Sequence, residues 1–129
     1  MSEEAYQKNE KLILEFVEHM KSSGVNNKTI RAHKSNIELL NDYLDDSDQA
    51  EFVDADHYEI ECFIRWCIDK WMFNTVNSLV LSLSSIKQFY DFLQQKWLIK
   101  DTEKIDELCN DRDKWAKEFS KREKLLGDY

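Results

Sequence analysis

From Asn74 to Ile99 the apolar residues Val76, Leu79, Val80, Leu83, Ile86, Tyr90 and Leu93 recur at spacings of three and four, which places them on one face of a helix. That stripe is wide enough to be the central wall of a helical core. Asn74 can cap the helix, because a short polar side chain can accept a hydrogen bond from a free backbone N–H of the first turn. The opposite face holds Asn77, Ser78, Ser82, Ser85 and Gln88, with Leu81 among them. Exposed helix faces usually carry long charged side chains. A small, uncharged face implies close approach by another body, either a neighbouring helix or a nucleic-acid groove.

The same period recurs on both sides of this segment. A first helix is expected from Glu3 to Ser22, with Ile13, Phe16, Val17 and Met20 as its stripe, Leu12 and Leu14 widening it, and Gly24 free to end it in a left-handed conformation. A second is expected from Lys28 to Asp45, capped by Asn27, with Ile30, His33, Ile37, Leu40 and Leu44 inward and Tyr43 flanking them. Residues 45–54 read as an acidic connection anchored by Phe52 and Val53. A third helix follows, opened by a capping box of Asp56 and Glu59 and lined by Ile60, Phe63, Ile64, Cys67 and Trp71. Beyond Lys100 and Asp101, a fifth helix is expected over residues 102–125. Ile105, Leu108, Cys109, Trp115, Ala116 and Phe119 form a narrow stripe on it within a densely charged surround. A helix of this kind can cap the preceding four or pair with a second copy. The expected organisation is a helical domain over residues 1–100 and an amphipathic helix over 101–129.

Composition supports an all-α domain. The 129 residues include no proline and two glycines, whereas strand-rich folds depend on both for tight turns. Three cysteines, Cys62, Cys67 and Cys109, show no CxxC spacing, which excludes a disulfide framework and a zinc site and fits a reducing cytoplasm. The acidic, polar N-terminus has no signal-peptide character, and no apolar run approaches the roughly 20 residues of a membrane span.

The net charge of −8 opposes a simple nucleic-acid reading, because DNA affinity comes largely from Lys and Arg at phosphates. Its distribution changes that picture. Residues 45–60 hold seven acids and no Lys or Arg, while residues 26–44 hold three basic and two acidic residues, and residues 74–100 three basic and one acidic. Lys28, Thr29, Arg31, Lys34 and Ser35 cluster in the first turns of the second helix. Helix N-termini favour anions, so cations there are slightly unfavourable unless a phosphate comes in.

Catalytic patterns are missing. His19, His33 and His57 form no HExxH or Cys/His cluster, and there is no Gly-rich phosphate loop, GxSxG or nucleophile–base pair. Asp45, Asp46 and Asp48 lack the glycine and terminal glutamate of a calcium loop and read as a solvated turn. His33 reads as a satisfied core histidine. No enzyme, cofactor or metal is expected.

The order of segments resembles the N-terminal core-binding domain of tyrosine recombinases, the phage-integrase family with its SAM-like helical fold. The segments are EKLILEFVEHMKSSG, NKTIRAHKSNIELLNDYL, FVDADHYEIECFIRWCIDK and NTVNSLVLSLSSIKQFYDFLQQKWLI. Thr29 and Ile30 match the family's Thr–Ile pair at the start of helix two, and Thr75 matches its Thr at the start of helix four. Leu83, Ser84, Ile86, Lys87, Phe89, Tyr90, Phe92 and Leu93 match the string that follows. The resemblance covers about residues 8–99.

It implies a four-helix SAM-like core plus a C-terminal helix, with helices two and four against the major groove of duplex DNA. The implied groove-facing residues are Lys28, Thr29, Arg31, Lys34 and Ser35 on helix two and Asn74, Ser78, Ser82, Ser85 and Lys87 on helix four. The family's strand-cleaving domain has no counterpart here: no His-x-x-Arg motif occurs, and Tyr129 stands without an arginine pocket. His33 occupies a position that is usually aromatic, and helix four has Ser where many members have Arg or Lys. The expected function is a non-catalytic DNA-binding module that modulates site-specific recombination. The alternative is an acidic protein-interaction module using the polar face of helix four or residues 102–125, with a full-length recombinase or a second copy as partner. A remnant of a truncated integrase is a third reading.

Overall fold

The structure, a computed structural model, describes residues 2–47 and 50–127, with side chains through Lys124. All regular structure among these residues is helical: α1 (Glu3–Ser22), α2 (Asn27–Asp46), α3 (His57–Asp69), α4 (Val76–Gln95), α5 (Glu103–Asn110) and α6 (Arg112–Gly127). Asp48 and Gln49 of the expected acidic connection, and Tyr129, lie outside the described residues.

α4 is the hub, packing against α2, α5 and α6. Leu79, Leu83, Ile86, Phe89, Tyr90, Phe92 and Leu93 are buried, so it hides more than the single stripe expected of an amphipathic helix. Phe89 is the centre of an aromatic cluster, with Phe16 at 5.3 Å edge-on and Phe52 at 4.8 Å edge-on between ring centroids. Such pairs add about 0.5–1.5 kcal/mol beyond the area they bury.

The caps differ from expectation by one residue. Asn26, not Asn27, accepts from Thr29 N–H at 2.9 Å and caps α2. Thr75, not Asn74, caps α4 by accepting from Ser78 N–H at 3.1 Å. The Asp56–Glu59 capping box opens α3 as expected.

Gly24 takes the left-handed conformation at φ 81° after α1, and its neighbour Val25 returns an N–H to the Met20 carbonyl. The same closure ends α3 and α4 with tryptophans in the glycine position, Trp71 at φ 58° and Trp97 at φ 62°. Trp71 therefore leaves the inner face of α3, where the helical period placed it. It is 42% exposed, with the Arg122 guanidinium 5.3 Å over its ring. Ile68 is buried on α3 as well.

The expected fifth helix is two. The chain breaks at Asp111, at ψ 60°, where consecutive Asn110 and Asp111 are poor helix formers whose side chains compete for the backbone. The Trp115 indole N–H donates to the Leu108 carbonyl at 3.1 Å and satisfies an acceptor that the break frees. The bend lets Ile105 and Cys109 on α5, and Trp115 and Phe119 on α6, all become buried. α5 packs on α3 and α4, and so does α6. An ion cluster holds α6 to α3: Arg65 binds Glu118 and also Glu61 at 3.1 Å, and Lys114 reaches Glu61 at 3.4 Å.

Candidate nucleic-acid interface

The small polar face of α4 is closed by α2 at Ser85 and open at Asn77, Leu81 and Gln88. Ser85 is fully buried, and its Oγ donates to the Leu81 carbonyl at 3.0 Å and accepts from Asn36 Nδ2 at 2.9 Å. His33 Nδ1 lies 2.6 Å from the same oxygen, so its N–H donates into the hydroxyl that serves Leu81. Burial pushes the His33 pKa below its usual value, consistent with a neutral ring. Ser82 is also buried. Small side chains here let the two helices approach closely.

Ser82 and Ser85 are therefore corrections to the expected groove-facing set: both are buried, and α2 closes over Ser85 through His33 and Asn36. Ser78 is half-buried, and its hydroxyl sits 3.2 Å from Thr75 Oγ1 within the α4 cap. Lys87 donates to Asn110 Oδ1 at 3.0 Å and so faces α5. Two residues beyond Ser85, it points about 160° away from that side chain. Asn74 is exposed just ahead of α4.

On α2, Lys28, Arg31 and Ser35 are exposed, and Thr29 and Lys34 are half-buried. Arg31, Ser35 and Glu38 share the outward face by their spacing. Lys34 lies on the edge that carries Asn41, which accepts from Asn9 of α1. None of Lys28, Arg31 and Lys34 forms an ion pair among the described residues, whereas Lys21, Arg65, Lys96 and Lys114 all do.

What the structure brings together is a seam between two helix edges. Thr29, Ala32 and Asn36 follow the α2 edge. Asn77, Leu81, Ser84 and Gln88 follow the α4 edge, with Gln88 Nε2 donating to Ser84 Oγ at 3.0 Å. Leu81 is 41% exposed in the middle of that edge. Ala32, Asn36 and Ser84 were not among the expected site residues. Their signal is position on the helix wheel relative to the buried stripes, and choosing residues by chemical type misses it.

The helices pass in opposite senses. Val25, just before α2, lines one hollow with Gln88, while His33 and Asn36 meet Ser85. The cationic start of α2 thus sits beside the C-terminal half of α4. Lys28 and Ser78 are about 18 Å apart along the helices, from twelve residues of rise. The seam is therefore an uncharged edge with Lys28 near one end and the Asn74–Ser78 turn at the other, while Arg31 lies on the outward face of α2 and Lys34 on the side toward α1.

Among the described residues no group of His, Cys, Asp and Glu could hold a metal, and no helix is long and apolar enough to cross a membrane. Burial raises the thiols of Cys67 and Cys109 to about 12, which fits unreactive core positions. The chain matches the phage integrase N-terminal SAM-like domain over residues 13–96 and belongs to that family. The match takes in α1 from Ile13 onward, α2, α3 and α4, and it is to the non-catalytic domain of these enzymes. No curated protein and no solved structure matches the chain.

Proposed function

We propose that this domain is a non-catalytic module that binds duplex DNA along the α2–α4 ridge and modulates site-specific recombination by occupying a recombinase's site. The observation that carries the reading is the grouping of Lys28, Arg31 and Lys34 within two turns at the start of α2, none of them in an ion pair among the described residues. Lys28, Arg31 and Lys34 supply phosphate contacts, with Thr29 and Ser35 as hydroxyl donors beside them. At the far end Asn74 adds a polar contact. The major groove is about 12 Å wide, less than the length of the ridge, so the two ends reach opposite phosphate walls. Asn77, Leu81, Ser84 and Gln88 then lie over the groove between them. α5 and α6 are packed on α3 and α4 as part of this core, so a recombinase or a second copy would meet the exposed side of α6.

The test is fluorescence anisotropy of a labelled random duplex of about 30 base pairs, titrated with the protein at low and at higher salt. The reading expects micromolar binding whose logarithm falls with log salt, with the three cations at the start of α2 contributing about −3 to the slope. The R31E/K34E variant should lose binding while keeping its helical circular dichroism. Absence of wild-type binding at low salt, or indifference to the charge reversal, sinks the reading and favours the acidic protein-interaction module.

A further inference from the structure

The solvent face of α6 carries a feature that the ridge does not use. Lys117, Lys121 and Lys124 are exposed and follow one another at spacings of four and three, so they share one line along the helix. Lys114 extends the series by one step toward the N-terminus. Trp115 and Phe119, buried against α3 and α4, lie on the other side of the helix. A shallow hollow runs between the lysine stems, floored by Ala116 and Ser120 and flanked by Asp113.

Charge on α6 is sorted by direction. Glu118 is turned inward to Arg65, and Lys114 to Glu61, which leaves Asp113 as the acid beside the outer lysines. Lys117, Lys121 and Lys124 form no ion pair among the described residues. Like charges three and four apart on a helix destabilise it, and the helix dipole compensates only the cation in the last turn, Lys124. Lys117, Lys121 and Lys124 thus present an outer row of cations, with Asp113 at its N-terminal end, that is open to a row of negative charges. The row extends about 10 Å along the axis, from seven residues of rise, which is the axial length of about three phosphates of one DNA strand.

We infer that α6 is a second DNA contact, in which Lys117, Lys121 and Lys124 track the sugar–phosphate backbone without reading bases. The inference rests on the reading of the domain as DNA-binding and adds a surface outside the α2–α4 ridge. It makes the C-terminal helices part of the footprint, so that binding to any duplex, and not only to a preferred site, depends on them.

The experiment uses the full chain and the same labelled duplex across a salt series, comparing wild type with K117Q/K121Q/K124Q and with K117R/K121R/K124R. The side chains project into solvent, so circular dichroism and the melting curve should match wild type in all three proteins. The glutamine variant should bind at least tenfold more weakly at low salt, with a salt slope reduced in magnitude by about 2.7, and the arginine variant should bind like wild type. Wild-type binding that is lost in R31E/K34E but keeps its affinity and slope in K117Q/K121Q/K124Q overturns this inference alone. Absence of wild-type binding overturns both. If the glutamine variant instead loses only adhesion to phosphatidylserine vesicles, the face serves a lipid surface and the DNA assignment fails.

Discussion

Replacing Asn9 by alanine should be among the most damaging single changes outside the aromatic core. Asn9 is fully buried in the middle of α1 and joins three parts of the chain. Its Nδ2 donates to Asn41 Oδ1 of α2 at 2.9 Å, and its Oδ1 accepts from the Phe52 backbone N–H in the link between α2 and α3 at 3.0 Å. Truncation leaves a buried N–H without an acceptor and a buried amide oxygen without its donor. Each such group costs about 1–3 kcal/mol. The sum is about 2–6 kcal/mol, a large share of the 5–15 kcal/mol that typically separates folded from unfolded domains. For a domain of 129 residues, that corresponds to a melting temperature lower by about 7–22 °C. Urea unfolding followed by tryptophan fluorescence measures it directly, with Gln7→Ala, an exposed position on the same helix, as the control expected within about 0.5 kcal/mol of wild type. A loss below about 1 kcal/mol for Asn9→Ala at an unchanged denaturant slope would show that water replaces the side chain, and would refute the argument that this bridge holds the link in place.

Two further outcomes follow from named side chains. His33 has its pKa lowered by burial, so the unfolded state takes up its proton first. Its contribution is present above the ordinary value near 6.5 and is lost as pH falls through that value toward the depressed one. The urea midpoint of the wild type should therefore drop between pH 7.5 and 5, and His33→Gln should flatten part of that drop; an equally steep decline in the variant would assign it elsewhere. Trp97 is 92% exposed at φ 62°, so Trp97→Gly removes left-handed strain with little lost packing and should stabilise the protein by about 0.5–1 kcal/mol. A destabilised variant would mean that the ring contributes packing despite its exposure.

The helices were legible because each carries a strong 3.6-residue period, and the family was legible because the order of Thr29–Ile30, Thr75 and the Leu83–Leu93 string is informative only when taken together. What the period could not reveal is which polar residues lie inside. Asn9 falls four before Ile13, and Asn41 four after Ile37, both on apolar stripes; that placement was the available signal of a buried bridge. The same limit applies to the candidate interface. Ser82 and Ser85 are chemically suited to a groove, but a short hydroxyl is equally suited to a close helix contact, and only the position of α2 decides between them. Trp71 was misplaced for a different reason: three backbone hydrogen bonds of the α3 terminus, including Met72 N–H to the Cys67 carbonyl at 2.9 Å, end the helix before the period does. The break at Asp111 was hidden because α5 and α6 keep nearly the same apolar phase across it.

The Phe52 peptide is held at both ends, its N–H by Asn9 and its carbonyl by the Tyr90 hydroxyl of α4 at 2.9 Å. Tyr90 and Gln88, two residues apart, point about 160° from each other, so this clasp fixes the link behind α4 as seen from the Gln88 edge. Glu51, Asp54 and Asp56 are carried with it. The molecule consequently has an electric dipole as well as a net charge. If the domain binds DNA as proposed, this separation of charge favours one orientation of approach, and the hydrogen bonds on the N–H and carbonyl of Phe52 hold the acidic link in place for it.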